Sequence, residues 1–254
     1  MIQNKISIEE RFNNFRLDRF LVEMKIFENR SKAVSNIMMG NVYVDEKKID
    51  KSGYKVKKGS VIELKIEKKW VSRGGIKLSK VLETFQLNVT DKSCLDIGCS
   101  TGGFSDVILQ NGASSVTGVD VGYGIIDLKV RNNERFKIFE RTNARYLKPD
   151  FFKDKFDLIF CDVSFISLKK IIPPLLIFLK KDGLVCLLVK PQFEVGKSQV
   201  GRGGIVKDEK VQKQICSDIR SFFERECSLR LLNFSESVIT GQKGNKEYFM
   251  LLKK

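Results

Sequence analysis

The spacing of apolar residues changes character along the chain. Near the start, Leu17, Phe20, Leu21 and Met24 recur at helical intervals while Arg16, Arg19 and Lys25 fall largely off that stripe, which predicts an amphipathic helix with a basic face. A second helix should follow, capped by Asn29 or Ser31, apolar at Ala33, Ile37 and Met38, and ended by Gly40. The period then shortens. Val42-Tyr43-Val44 and Lys47-Lys48-Ile49 flank an Asp45-Glu46 turn, and Tyr54-Lys55-Val56 and Val61 to Ile66 flank Lys57-Lys58-Gly59, predicting short strands joined by tight turns.

Beyond Trp70 strands and helices alternate. Ser93 to Ile97, Val116 to Val119, Lys137 to Glu140, Phe156 to Cys161, Leu184 to Val189, Arg230 to Ile239 and Glu247 to Leu252 read as strands, many of them unbroken apolar runs. Such runs belong to strands buried on both faces of a mostly parallel sheet, so the expected fold is a doubly wound, Rossmann-like α/β domain behind a small α+β domain. The turn-rich Thr240 to Asn245 segment suits an antiparallel hairpin closing the sheet.

Composition narrows the chemistry. The chain of 254 residues has no histidine, which excludes a histidine-based triad, zinc site or proton shuttle. Any general base must be Lys, Asp, Glu, Tyr or Cys. The six cysteines, Cys94, Cys99, Cys161, Cys186, Cys216 and Cys227, form no C-x-x-C pair and mostly sit in apolar runs, as reduced buried thiols would; no metal is expected. No secretory signal or membrane-length apolar stretch is visible, so the expected location is the cytoplasm, with no membrane partner. The net charge of +15 favours a polyanionic partner. Residues 1–70 hold 16 basic against 10 acidic side chains and residues 71–254 hold 30 against 21, so charge is denser in the smaller segment.

Those charges sit in recognisable settings. Arg16-Leu17-Asp18-Arg19-Phe20-Leu21, Asn29-Arg30-Ser31-Lys32-Ala33, Gly40-Asn41-Val42-Tyr43-Val44 and Val56-Lys57-Lys58-Gly59 together resemble an S4 domain, the small RNA-binding module of ribosomal protein S4 and several RNA-modifying enzymes. The resemblance implies that Arg16, Arg19, Arg30, Lys32, Lys57 and Lys58 face structured RNA. Asp45-Glu46 stands where the family often has Asn-Gly, a departure confined to a turn.

In the larger segment, Asp96-Ile97-Gly98-Cys99-Ser100-Thr101-Gly102-Gly103-Phe104 follows the first strand and opens a helix. Glycines there let the backbone approach a ligand closely, but the pattern is neither a phosphate loop nor G-x-G-x-x-G. About twenty residues on, Asp120 ends the second strand, where such folds bind the two hydroxyls of a ribose, while Asp96 suits a cationic amino group. A ligand with a ribose, an amino-acid tail and no phosphate is S-adenosylmethionine. Its expected cradle comprises Asp96, Gly98, Ser100, Gly102, Gly103, Phe104 and Asp120, with Asn143 by the adenine and Asp162 alongside.

Lys77, Asp162, Lys190 and Glu247 stand at strand ends or just before the first helix, and the carboxyl ends of the strands are where open α/β sheets bind ligands. Two lysines and two carboxylates so disposed resemble the Lys-Asp-Lys-Glu tetrad of FtsJ-type ribose 2'-O-methyltransferases. A ribose hydroxyl needs a base and alignment, since the sulfonium methyl is already activated. Lys190 suits the base, Asp162 would orient it and the hydroxyl, and Glu247 would position Lys77 or the ribose. Methylation at a pyrimidine C5 needs a presented cysteine, whereas Cys161 is expected to point into the sheet.

The span from Arg16 to Leu252 is similar to the TlyA family, which joins an S4 domain to an FtsJ-like methyltransferase. The similarity rests on Ser72-Arg73-Gly74-Gly75-Ile76-Lys77-Leu78, Asp162-Val163-Ser164-Phe165-Ile166-Ser167-Leu168, Lys190-Pro191-Gln192-Phe193-Glu194-Val195-Gly196-Lys197, Gly201-Arg202-Gly203-Gly204-Ile205-Val206 and Thr240-Gly241-Gln242-Lys243-Gly244-Asn245-Lys246-Glu247. It implies 2'-O-methylation of cytidine in the ribosomal RNA of ribosomal subunits, with Arg73 as a further RNA contact; the sequence leaves the oligomeric state open, a monomer being favoured. The expected boundaries are an extension at 1–15, the S4 domain at 16–67, a linker at 68–71 and the methyltransferase at 72–254. Alternatives are a transfer RNA ribose as acceptor, a non-catalytic RNA-binding scaffold, or a membrane-lytic haemolysin, for which no inserting segment is visible.

Overall fold

The apolar stripe at Leu17, Phe20 and Leu21 is completely buried in the computed structural model, which describes residues 5–64, 70–195, 201, 203–241 and 244–254. The stripe belongs to α1 (Leu17–Glu23). It packs with α2 (Arg30–Met38), where the Asn29 side chain accepts from the Lys32 amide as N-cap. Met38, expected on the apolar side, is exposed, because a step of about 100° beyond buried Ile37 turns it to solvent. These helices belong to the first of two compact units, Met1–Lys69 and Trp70–Lys254.

The first unit's sheet runs β1-β4-β2-β3, all antiparallel, from β1 (Lys5–Ser7), β2 (Val42–Val44), β3 (Lys47–Lys48) and β4 (Val61–Leu64). Residues 5–12 of the expected extension at 1–15 take part in this sheet and its core. Ile6 pairs with Ile62, and Ile8 and Phe12 bury in the same core, Phe12 meeting Phe20 edge-to-face at 4.9 Å. Tyr54–Val56 is not a hairpin strand. Its polar backbone groups are used by the approach to α1, with Leu17 N donating to Tyr54 O and Val56 N to Phe15 O. Asp45 and Glu46 both adopt positive φ, 49° and 64°, the handedness of a tight hairpin turn, and Asp45 Oδ1 secures it by accepting from Val61 N at 2.8 Å.

Asp18 is fully buried and gathers Arg16 through two guanidinium bonds of 3.0 and 2.9 Å, Arg30 Nε at 2.9 Å and the Arg19 amide at 2.9 Å. The hydrogen-bonded Arg16 guanidinium, with Arg30 beside it, holds the carboxyl down at about 2 against an ordinary 3.8. A value depressed by folding means that this contribution is complete above pH 3.8 and is lost as pH falls through about 2. Asp18→Ala is expected to destabilise the first unit by about 2 kcal/mol at neutral pH, read by urea denaturation; an unchanged midpoint would refute this.

In the second unit the sheet order is β10-β11-β9-β8-β5-β6-β7, with β5 (Ser93–Ile97), β6 (Ser115–Val119), β7 (Phe136–Phe139), β8 (Phe156–Cys161) and β9 (Leu179–Val189) parallel. β11 (Tyr248–Lys253) is inserted antiparallel between β9 and β10 (Arg230–Glu236). Alternation along the strands feeds two cores. Leu95, Ile159, Val185 and Met250 face α6 (Leu168–Ile171) and α8 (Glu209–Glu226), whereas Cys94, Phe160, Cys186 and Phe249 face α3 (Arg73–Thr84) and α4 (Gly103–Gln110). Two short helices, α5 (Leu128–Arg131) and α7 (Pro191–Glu194), complete the unit. The strand order reverses between β5 and β8, which opens a crevice beyond their carboxyl ends.

Trp70 and Val71 of the expected linker pack against the second unit's core, and Val71 N donates to Asp106 at 2.9 Å. Lys68 and Lys69 lie outside the described residues, as do Ile66, Gly196, Lys197, Arg202, Gln242 and Lys243 from the expected strand and motifs.

Candidate active site

The loop after β5 lies at the reversal point, and its backbone geometry follows from its glycines. Gly98 has φ +77° and lies so close to β8 that a Cβ there would sit 2.6 Å from the carbonyl oxygen of Asp162. Gly102, φ +90°, supplies the left-handed residue from which α4 starts. Between them Ser100 donates its amide to Asp120 Oδ2 at 2.8 Å, while Gly122 N donates to Oδ1 at 2.7 Å. Asp120 is thereby fixed at the end of β6, each carboxylate oxygen keeping acceptor capacity for another donor.

Asp96 is wholly buried below this loop. Its Oδ2 accepts from Ser105 Oγ at 2.6 Å, and its Oδ1 has no hydrogen-bond partner among the described residues. Burial first, then the nearby Asp162 and Asp120 charges, push its carboxyl up to about 7 against the pull of Ser105. A buried carboxylate oxygen without a donor is costly, and a cationic donor above it would remove that cost.

Three of the expected cofactor residues have partners of their own within the fold. Phe104 points away from the crevice into the core, stacked on Phe249 at 6.1 Å, because on α4 it faces the α3 side of the sheet. Gly103 is buried in the first turn of α4, hard against Ser72 and Gly75. Asn143 spends its side-chain oxygen capping the 3-10 turn at Ala144–Tyr146, accepting from Arg145 N at 3.1 Å.

The four candidate catalytic residues form two ion pairs. Lys77, on the inner face of α3, donates to Glu247 Oε2, with both side chains at least nine-tenths buried. Lys190 Nζ stands 2.5 Å from Asp162 Oδ1, the side chains 11% and 20% exposed. This second contact is an ion pair without the alignment of a hydrogen bond. The aligned partner of Lys190 is Ser164 Oγ, which accepts from Nζ at 3.0 Å. Strand register brings the pairs to one edge: Tyr248 stands opposite Val189, so Glu247 and Lys190 follow at the same end of adjacent antiparallel strands. Glu194 ties the turn after Asp162 to α7 after Lys190, accepting from Ser167 Oγ at 2.6 Å and Leu168 N at 2.8 Å.

Cys161 is completely buried, and its thiol is pushed well up by desolvation, so it presents no nucleophile to the crevice. Ser164 and Ser105 were not singled out from sequence. Their signal was position alone, two residues after Asp162 and nine after Asp96.

The expected RNA-facing cations divide by their partners. Arg16 and Arg30 are half-exposed but oriented by Asp18. Lys32 pairs with Glu28 and Lys58 with Glu10. Arg19 and Lys57 project into solvent. Arg73 instead donates to the Thr240 carbonyl at 2.6 Å, fastening the start of α3 to the loop that leads to Glu247.

An FtsJ-like methyltransferase model matches residues 70–254 and an S4 domain model matches residues 15–62. YqxC of Bacillus subtilis is 44% identical over 93% of this chain and 85% of its own length. The 16S/23S rRNA (cytidine-2'-O)-methyltransferase TlyA of Mycobacterium tuberculosis is 38% identical over 94% of this chain and 89% of its own. A solved structure of a hemolysin-named protein from Streptococcus thermophilus superposes with a TM-score of 0.74 at 39% identity, covering 96% of this chain and 89% of the other. The parallel sheet with its inserted last strand, the loop between Asp96 and Asp120, and likeness along nearly the whole length agree: the chain belongs to the TlyA family, with an S4 domain ahead of an FtsJ-like methyltransferase domain.

Proposed function

We propose that this protein transfers the methyl group of S-adenosylmethionine to the 2'-hydroxyl of a cytidine in ribosomal RNA. The observation that carries the reading is the contact between the Gly98 backbone and Asp162, which joins the candidate cofactor loop to the Asp162–Lys190 pair. The name of the Mycobacterium tuberculosis relative supports the acceptor.

The residues fit this cofactor. Asp120 offers two fixed acceptors suited to ribose hydroxyls, and Asp96 has a buried oxygen in want of a donor. When bound, the cofactor supplies a methyl group on a positively charged sulfur. Lys190, as the neutral amine, takes the proton of the 2'-hydroxyl, and Asp162 stabilises the ammonium that results. The acceptor oxygen would keep the electron pair of its O–H bond for the incoming methyl group, the leaving sulfur would keep its own, and the one proton left to place is held by Lys190. Lys77 and Glu247 neutralise each other and brace α3 against β11 beside the acceptor. The first unit docks the RNA through Arg16, Arg19, Arg30, Lys32, Lys57 and Lys58.

Ribosomal subunits lacking the modification, incubated with labelled S-adenosylmethionine and the protein, are expected to yield 2'-O-methylcytidine by nucleoside mass spectrometry. Label on transfer RNA alone, or on no RNA, would overturn the acceptor assignment.

Asp96 gives a second expectation. An acid whose value is raised by folding adds stability below 3.8 that is lost as pH rises through about 7. A cation against Oδ1 favours the ionised form, so cofactor affinity should rise between about pH 6 and pH 7.5. Titration calorimetry of the wild type and Asp96→Asn tests this: the variant should bind more weakly and lose that rise. Equal slopes for both would sink the assignment.

A further inference from the structure

Lys190 has two polar neighbours at its nitrogen, and they differ in kind. Asp162 contributes charge at 2.5 Å but no aligned acceptor. Ser164 contributes almost no charge but is the one aligned hydrogen-bond acceptor of Lys190 among the described residues. A lysine nitrogen on a four-carbon stem turns easily about its last bond, and a nearby carboxylate lowers the energy of its positions without choosing among them. A hydrogen bond does choose. With one N–H held on Ser164 Oγ, the remaining two tetrahedral positions are fixed in space.

The serine is itself held. It lies in the turn between β8 and α6, where the next residue, Phe165, adopts φ +66°, an arrangement that costs a side-chain-bearing residue about 1–2 kcal/mol. The Glu194 carboxylate clamps the far end of that turn through Ser167 and Leu168. Ser164 is itself exposed, while the nitrogen it accepts from belongs to a lysine whose side chain is only 11% exposed.

We infer that Ser164 is a positioning residue for proton transfer: it pins one N–H of Lys190 so that the lone pair of the neutral amine faces the acceptor hydroxyl. The inference rests on the reading of Lys190 as the base. Ser164 gains and loses no proton; the proton of the acceptor hydroxyl goes to the lysine lone pair, and the serine oxygen accepts the same N–H before and after.

The experiment compares wild type, Ser164→Ala, Ser164→Thr and Lys190→Ala by steady-state methylation of unmodified ribosomal subunits and by calorimetric binding of S-adenosylmethionine. Ser164→Ala is expected to lower kcat by about 10- to 100-fold, with the KM for subunits and the Kd for cofactor within about twofold of wild type. Ser164→Thr keeps the hydroxyl, has solvent into which to place its methyl group, and should recover kcat to within about threefold of wild type. A purely structural serine would raise KM or Kd along with the fall in kcat, or would fail to be rescued by threonine; either result overturns the inference, as does wild-type kcat in Ser164→Ala when Lys190→Ala is inactive. Full activity in Lys190→Ala would overturn the reading of the base itself, and the positioning role with it.

Discussion

Replacing Lys190 by alanine is expected to lower methyl transfer by about 10²- to 10⁴-fold, the range that a positioned general base contributes, while leaving cofactor affinity nearly unchanged. Affinity should persist because the expected ribose and amino-group contacts, Asp120 and Asp96, are fixed by their own partners, Ser100, Gly122 and Ser105. The more informative substitution is Lys190→Arg. A guanidinium keeps the positive charge beside Asp162 and can still donate to Ser164, but it cannot give up a proton at any workable pH. If Lys190 is the base, Arg should be nearly as damaging as Ala in single-turnover label transfer. If its role were only to carry charge, Arg would retain most of the activity, and the assignment would fall.

The second large effect concerns stability before chemistry. Lys77 and Glu247 are both nearly buried and face each other across α3 and β11. Removing one partner leaves a charge in a poorly solvated place, so Glu247→Ala should destabilise the second unit by about 3–5 kcal/mol, seen as an early transition in chemical denaturation. Replacing both, as in Lys77→Met with Glu247→Leu, removes the stranded charge and should restore most of that loss. The double variant also separates two roles. Recovered stability without recovered methylation would assign the pair to the reaction, whereas recovery of both would make it a structural clasp.

Much of the second unit's fold was legible because its signals are local. An apolar run of strand length, such as Phe156 to Cys161, needs no distant partner to be read, and the interval from the glycine loop to Asp120 reflects one strand-helix-strand unit. What escaped depends on encounters across sequence. Asp18 sits between Leu17 and Arg19 at a helix start, and nothing nearby announces that Arg30, twelve residues on, will return to it. Arg73 resembles a free surface cation until Thr240, 167 residues away, offers its carbonyl. Phe104 lies in the expected segment but turns into the core, since motif spacing fixes backbone position and leaves the direction of a side chain to packing. Likewise β1 is three residues long, too short for periodicity to detect, and is stabilised by the open edge of β4.

The inserted position of β11 bears on how the protein is made. β9 lies in the middle of the finished sheet, yet one of its two edges pairs with residues 248–253, which are synthesised some sixty residues after Val189. Until residues 247–253 have been made, that edge stays open and apolar, β10 has no neighbour among the described residues, and Lys77 lacks the Glu247 counter-charge. Any chain stopped short of Glu247 therefore lacks β11, the only strand that β10 pairs with among the described residues, and the fourth member of the candidate site, so premature termination should give insoluble, inactive product in place of a weakly active fragment.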